Sequence, residues 1–185
     1  MPFAAVLDAS VLYQLPLRDT LLRIAETELY DPYWSQRILD EVVRNLVADG
    51  RANEEQARRL TDAMAAAFDG AAVPQSAVDR LERAMTNDPK DRHVLAAAVV
   101  SDAQAVVTLN LKDFPLRACE PFAIEPLHPD VFLLDLYGLD GQEVFEAIER
   151  QAGALLRPPM DLEELLDRLA VTVPSFAQAI RAHPR

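Results

Sequence analysis

The sequence predicts a three-layer α/β/α sandwich with a mainly parallel sheet over residues 1–128, followed by a helical extension over 129–185. Three observations carry this reading. The apolar runs Phe3–Leu7 and Ala105–Leu109 are short and end in polar residues, the pattern of strands buried on both faces. Segments with helical periodicity lie between them. Past His128-Pro129 the strand signals cease and only helical patterns follow. A chain of 185 residues fits one domain, or one domain with an extension.

In order, Phe3–Leu7 is the first strand and ends in Asp8-Ala9-Ser10. A short helix runs through Val11 and Leu12, and Arg18 to Glu28 reads as a second helix. Tyr30–Trp34 is an extended piece, because Pro32 biases Asp31 away from helix. Ser35 caps a helix Gln36–Ala48 that ends near Gly50, with Ile38, Leu39, Val42, Val43 and Leu46 as its core stripe. Asn53 and Gln56 form a capping box for a helix to about Phe68. Ala71–Pro74 is an extended link, and Ser76 caps a helix to about Met85. Asp88-Pro89 opens an Ala-rich helix with proline in its first position, which places Asp91 in the first turn. After Ala105–Leu109, Ala123-Ile124 begins another strand, interrupted by Pro126. The extension comprises helices over 130–137 (broken at Gly138), 142–156 (broken by Pro158-Pro159), 161–169 and 175–182.

Composition excludes several classes. Half of the residues are apolar and 6% are aromatic, so aliphatic side chains and alanine supply the core. The five glycines form neither phosphate-binding loop, G-x-x-x-x-G-K-[ST] or G-x-G-x-x-G. One cysteine, Cys119, permits no intrachain disulfide, and with three dispersed histidines it makes no zinc spacing. No basic leader precedes the first apolar run, and no stretch is long enough to span a bilayer, so the expected location is cytoplasmic. A net charge of -12 argues against a basic nucleic-acid-coating protein. It is compatible with an enzyme that gathers carboxylates around a cation.

Polar groups sit where a parallel sheet would bring them together: Asp8 after the first strand, Asp91 at the start of the Ala-rich helix, and Asn110 with Asp113 after a later strand. Each has an ordinary explanation. Asp8 serves equally as a helix cap, and the macrodipole favours Asp91 in a first turn. Glu41 lies off its helix's core stripe, where a solvated glutamate explains it better. Together, carboxylates without clustered Cys or His point to Mg2+ or Mn2+. The matching chemistry is phosphodiester hydrolysis.

The pattern resembles the PIN-domain ribonucleases, most closely the toxins of VapBC-type toxin–antitoxin pairs. The matching stretches are Val6–Leu12, Trp34–Glu41, Asp91–Ala98 and Val107–Pro115, and the resemblance covers residues 3–128. It implies that Asp8 and Asp91 are metal ligands for Mg2+ or Mn2+, and that Glu41 is the second acidic position. The fourth position, two residues after Thr108, is commonly Asp in the family and here is Asn110; Asp113 is the substitute candidate. The resemblance further implies an RNA substrate, a cognate antitoxin and a homodimer, with no membrane association. Arg92 and Lys112, with Arg44 and Arg117, are candidates for holding the RNA backbone, or are ordinary surface charge.

Haloacid-dehalogenase-like phosphatases also place an Asp after a first strand, but want a second Asp two residues on, where this chain has Ser10. A receiver domain wants an acidic pair before the phospho-acceptor and a Lys after a later strand, an arrangement this sequence does not show. The non-enzyme alternative is an inactive PIN fold kept as a protein- or RNA-binding module. Retention of Asp8, Glu41 and Asp91 favours activity.

Overall fold

A computed structural model describes residues 3–154 and 160–184. The chain forms two compact units. The first comprises residues 3–13 and 31–127, and contains the sheet. Its strands are β1 (Phe3–Leu7), β2 (Tyr30–Ser35, whose first residue belongs to the second unit), β3 (Ala72–Val73), β4 (Ala105–Val107) and β5 (Glu125–Leu127). Their order is β3-β2-β1-β4-β5 in a parallel sheet, with Leu7 opposite Val107 and Val107 opposite Leu127. Ala4 to Leu7 are all buried. Successive side chains of a strand point to opposite faces, so both faces of β1 are covered, as an α/β/α sandwich requires.

The helices of this unit are α1 (Ala9–Leu12), α3 (Gln36–Ala48), α4 (Glu54–Ala67), α5 (Gln75–Glu82), α6 (Arg92–Val100) and α7 (Leu116–Cys119); α2 (Leu17–Ala25) belongs to the second unit. Ser35 Oγ accepts the Ile38 N–H at the start of α3, and Gly50 follows its end with φ 65°. Asn53 and Gln56 form the expected capping box. α6 packs on β1 and β4. Its Ala96-Ala97-Ala98 run is wholly buried, because only a methyl group fits where the helix backbone approaches the strands.

Several sequence expectations are corrected. Pro74, not Ser76, holds the cap position of α5. α6 begins at Arg92, so Pro89 precedes the helix and Asp91 is its cap residue rather than a first-turn residue. The strand after α6 stops at Val107, two residues short of Leu109. Ala123 is in a left-handed turn (φ 54°), and β5 starts at Glu125 and runs through Pro126. That proline is tolerated because β5 is an edge strand, where half of the backbone groups need no partner in the sheet. α7 had no expectation.

The second unit comprises residues 14–30 together with the described residues from 128 onward. Its other helices are α8 (Pro129–Leu139), α9 (Gly141–Ala154), α10 (Leu162–Ala170) and α11 (Pro174–Arg181). α8 continues through Gly138 instead of breaking there, since one glycine weakens a helix by only ~1 kcal/mol. The expected break at Pro158-Pro159 lies outside the described residues. α2 groups here because its Thr20 hydroxyl donates to Gln151 Oε1 of α9 at 2.8 Å, while Gln151 Nε2 donates to the Pro16 carbonyl at 3.2 Å. Gln151 is fully buried. Gln151→Ala is expected to destabilise the protein by about 2–4 kcal/mol through lost volume and the loss of two buried hydrogen bonds, whereas Glu149→Ala on the exposed side stays within about 0.5 kcal/mol. Urea titration of both variants checks this.

Candidate active site

The strand order creates the site. The chain moves outward from β1 to β2 and β3, then returns to place β4 on the other side of β1. In open α/β sheets, ligands bind outside the carboxyl ends of the strands flanking such a reversal. Asp8 follows β1, and Thr108 to Asn110 follow β4.

Asp8 is 3% exposed and stands at the cap position of α1, yet its side chain makes no capping bond. It is held across the sheet instead. Its Oδ2 accepts hydrogen bonds from Ser10 Oγ and Thr108 Oγ1, both at 2.7 Å. Those hydroxyls are themselves fixed by backbone: Leu109 N–H donates to Ser10 Oγ at 3.1 Å, and Asn110 N–H donates to Thr108 Oγ1 at 3.0 Å. Burial pushes the Asp8 carboxyl above the usual carboxylate range; the Ser10 and Thr108 hydroxyls oppose that rise and the Glu41 charge adds to it.

Asp91 is half-buried at the N-terminus of α6 and also makes no capping bond. Its carboxyl is pushed up to about 6, by burial first, then by the charges of Asp8 and Asp113, against the opposing charge of Lys90. Asp113 is buried in the short 3-10 turn Leu111–Asp113, with Oδ2 3.8 Å from Lys90 Nζ. Its carbonyl accepts the Asp88 N–H at 3.2 Å, which ties this turn to the loop before α6.

Glu41 is half-buried on α3, the helix that Ser35 opens at the end of β2. Its Oε1 lies 3.3 Å from both Arg44 Nη2 and His93 Nε2. It therefore faces protein, not only solvent as periodicity favoured. The solvated-helix reading fails because Glu41 sits beside the fully buried His93 of α6, a neighbour 52 residues away in sequence.

Thus the charge of Glu41 acts on Asp8, and the charges of Asp8 and Asp113 act on Asp91. Asn110 is exposed and joins the site through its backbone N–H. Arg92 is half-buried, its Nε donating to the Asn87 carbonyl at 3.3 Å, and Lys112 is exposed. Sequence reasoning missed Ser10 and Thr108 as holders of Asp8. The available signal was a hydroxyl residue next to each strand end.

The donor set suits a hard divalent cation: it is all oxygen, and two of its carboxyls are raised, by burial first and then by the charge of neighbouring carboxylates, which a cation would offset. Among the described residues, no three His, Cys, Asp or Glu side chains are grouped to encircle an ion. Mg2+ does not require such a cage, since one or two carboxylates with water and substrate phosphate suffice.

Residues 4–112 match the family model described as PIN domain, and residues 129–182 match the VapC50 C-terminal domain. A curated relative from Mycobacterium tuberculosis, named "Putative ribonuclease VapC50", is 47% identical over 98 residues, covering 53% of this chain and 58% of that protein. The chain thus spans less than two thirds of that relative's length. No solved structure matches it significantly. No helix among the described residues is long and apolar enough to cross a membrane. With its PIN model covering more than half of its length and its carboxylates meeting at the reversal of the sheet, this chain belongs to the PIN-domain family.

Proposed function

We propose that this protein is an Mg2+- or Mn2+-dependent endoribonuclease, the toxin of a VapBC-like pair, acting in the cytoplasm on RNA and restrained by a cognate antitoxin. The observation that carries the reading is the gathering of carboxyls at the switch point of the sheet: Asp8, fixed by the Ser10 and Thr108 hydroxyls, with Asp91, whose carboxyl is raised by burial first and then by the charges of Asp8 and Asp113. Asp8 and Asp91 would hold the cation. Bound there, it would supply charge neutralisation at the scissile phosphate and a more acidic water. Ser10 and Thr108 keep Asp8 aimed by binding one of its oxygens. Asp113, buried beside Asp91, takes the fourth acidic role in preference to the exposed Asn110. Glu41 orients the attacking water, and Arg92 and Lys112 meet the RNA backbone from the rim. Homodimerisation is part of the same proposal.

The test pairs induced expression with an RNA cleavage assay, using wild type and Asp91→Ala. Growth arrest and cleavage by wild type, both lost in Asp91→Ala, with cleavage also abolished by EDTA, support the reading. Equal arrest and equal cleavage by the two proteins would refute it. A folded wild type that binds RNA without cutting it would favour the binding-module alternative.

A further inference from the structure

We infer that His93 is a positioning residue for Glu41, holding its carboxylate through an Nε2–H donor from the buried side of the site. This rests on the nuclease reading for its catalytic meaning but on geometry for the contact itself. His93 is 0% exposed, the second residue of a helix packed against β1 and β4. Among the described residues, neither of its ring nitrogens has a hydrogen-bond partner of good geometry. A fully buried imidazole is costly to leave unsatisfied. Glu41 Oε1 lies 3.3 Å from Nε2, close enough to pair but outside hydrogen-bond alignment. Glu41 is held on its outer side by Arg44, an exposed side chain on the same helix. An exposed arginine fixes a carboxylate poorly, because water screens the pair and the long side chain resists ordering. His93 has no such freedom. The second element of the site, α6, thereby sets the direction of a carboxylate carried by α3.

The first test is 15N NMR of the imidazole in the full-length protein. The proton is expected on Nε2, and Glu41→Ala, on a half-buried helix position, is expected to shift that resonance. The second is kinetic. His93→Leu should lower kcat ~10-fold with little change in KM, and His93→Gln, which keeps a side-chain N–H donor, should restore most of it. In a Glu41→Ala background, His93→Leu should add less than about 2-fold. A proton on Nδ1 alone, or an imidazole indifferent to Glu41→Ala, overturns the inference whatever the nuclease does. So does an equal loss from His93→Leu with and without Glu41. A wild type that never cleaves RNA overturns the nuclease reading instead, and the imidazole resonance still decides whether His93 holds Glu41.

Discussion

Asp8→Asn is expected to abolish RNA cleavage, by ~100-fold or more, while raising the melting temperature of the protein in EDTA. The two effects share one cause. Asp8 is a buried carboxyl whose ionised form is disfavoured by burial and by Glu41. Asparagine keeps an oxygen to accept from Ser10 and Thr108, so neither hydroxyl loses its partner. What it removes is the charge, the source of the strain in the metal-free fold and the reason a cation would bind. Each kcal/mol of relief corresponds to about 2–4 °C in a chain of this size. The same variant should lose the upward shift that millimolar Mg2+ or Mn2+ gives the wild type. Thermal melts with and without the cation decide it: a lower melting temperature for Asp8→Asn in EDTA would mean that the charge stabilises the empty site.

The second large effect is on pH. In the unfolded chain Asp91 ionises near its ordinary value of 3.8, and in the fold near 6. Between these values the folded state keeps a proton that the unfolded chain has lost. The stability this contributes is complete below 3.8 and is lost as pH rises through about 6. Asp8, raised in the same direction, adds to the loss. Other carboxylates change with pH as well, so the comparison is wild type against Asp91→Asn in EDTA. The variant should gain on the wild type as pH climbs from about 4 to 7. Adding Mg2+ should close the gap at pH 7.5 and do little at pH 4.5, where protons compete for the ligands. A gap independent of pH would show that neither burial nor its neighbours raise the Asp91 carboxyl.

How far the sequence reached depended on the range of the interaction. The strand ends were legible because burial on both faces leaves a continuous apolar run, and Asp8 and Asp91 stood out at the ends of recognisable elements. The caps of α3 and α4 were legible for the same reason: they are bonds between residues three apart. Glu41 was misread by periodicity, which reports a helix's own faces and not the His93 packed against it. Ser10 and Thr108 escaped notice because their meeting point lies across 98 residues of chain. α2 read correctly as a helix, yet its place beside α9 depends on Gln151, a polar side chain that gives no hydrophobic signal.

The margin of the sheet has a consequence for how copies of this protein can meet. In β5, the Glu125 N–H reaches inward to the Gln104 carbonyl, and the Leu127 carbonyl accepts inward from Thr108. By the alternation of a strand, the backbone of Pro126 faces outward, and there proline offers no N–H. At the opposite margin β3 is two residues long. Neither border presents the row of donors and acceptors that another strand would need as a template. Self-association by joining sheets into a continuous ribbon is therefore disfavoured at both ends.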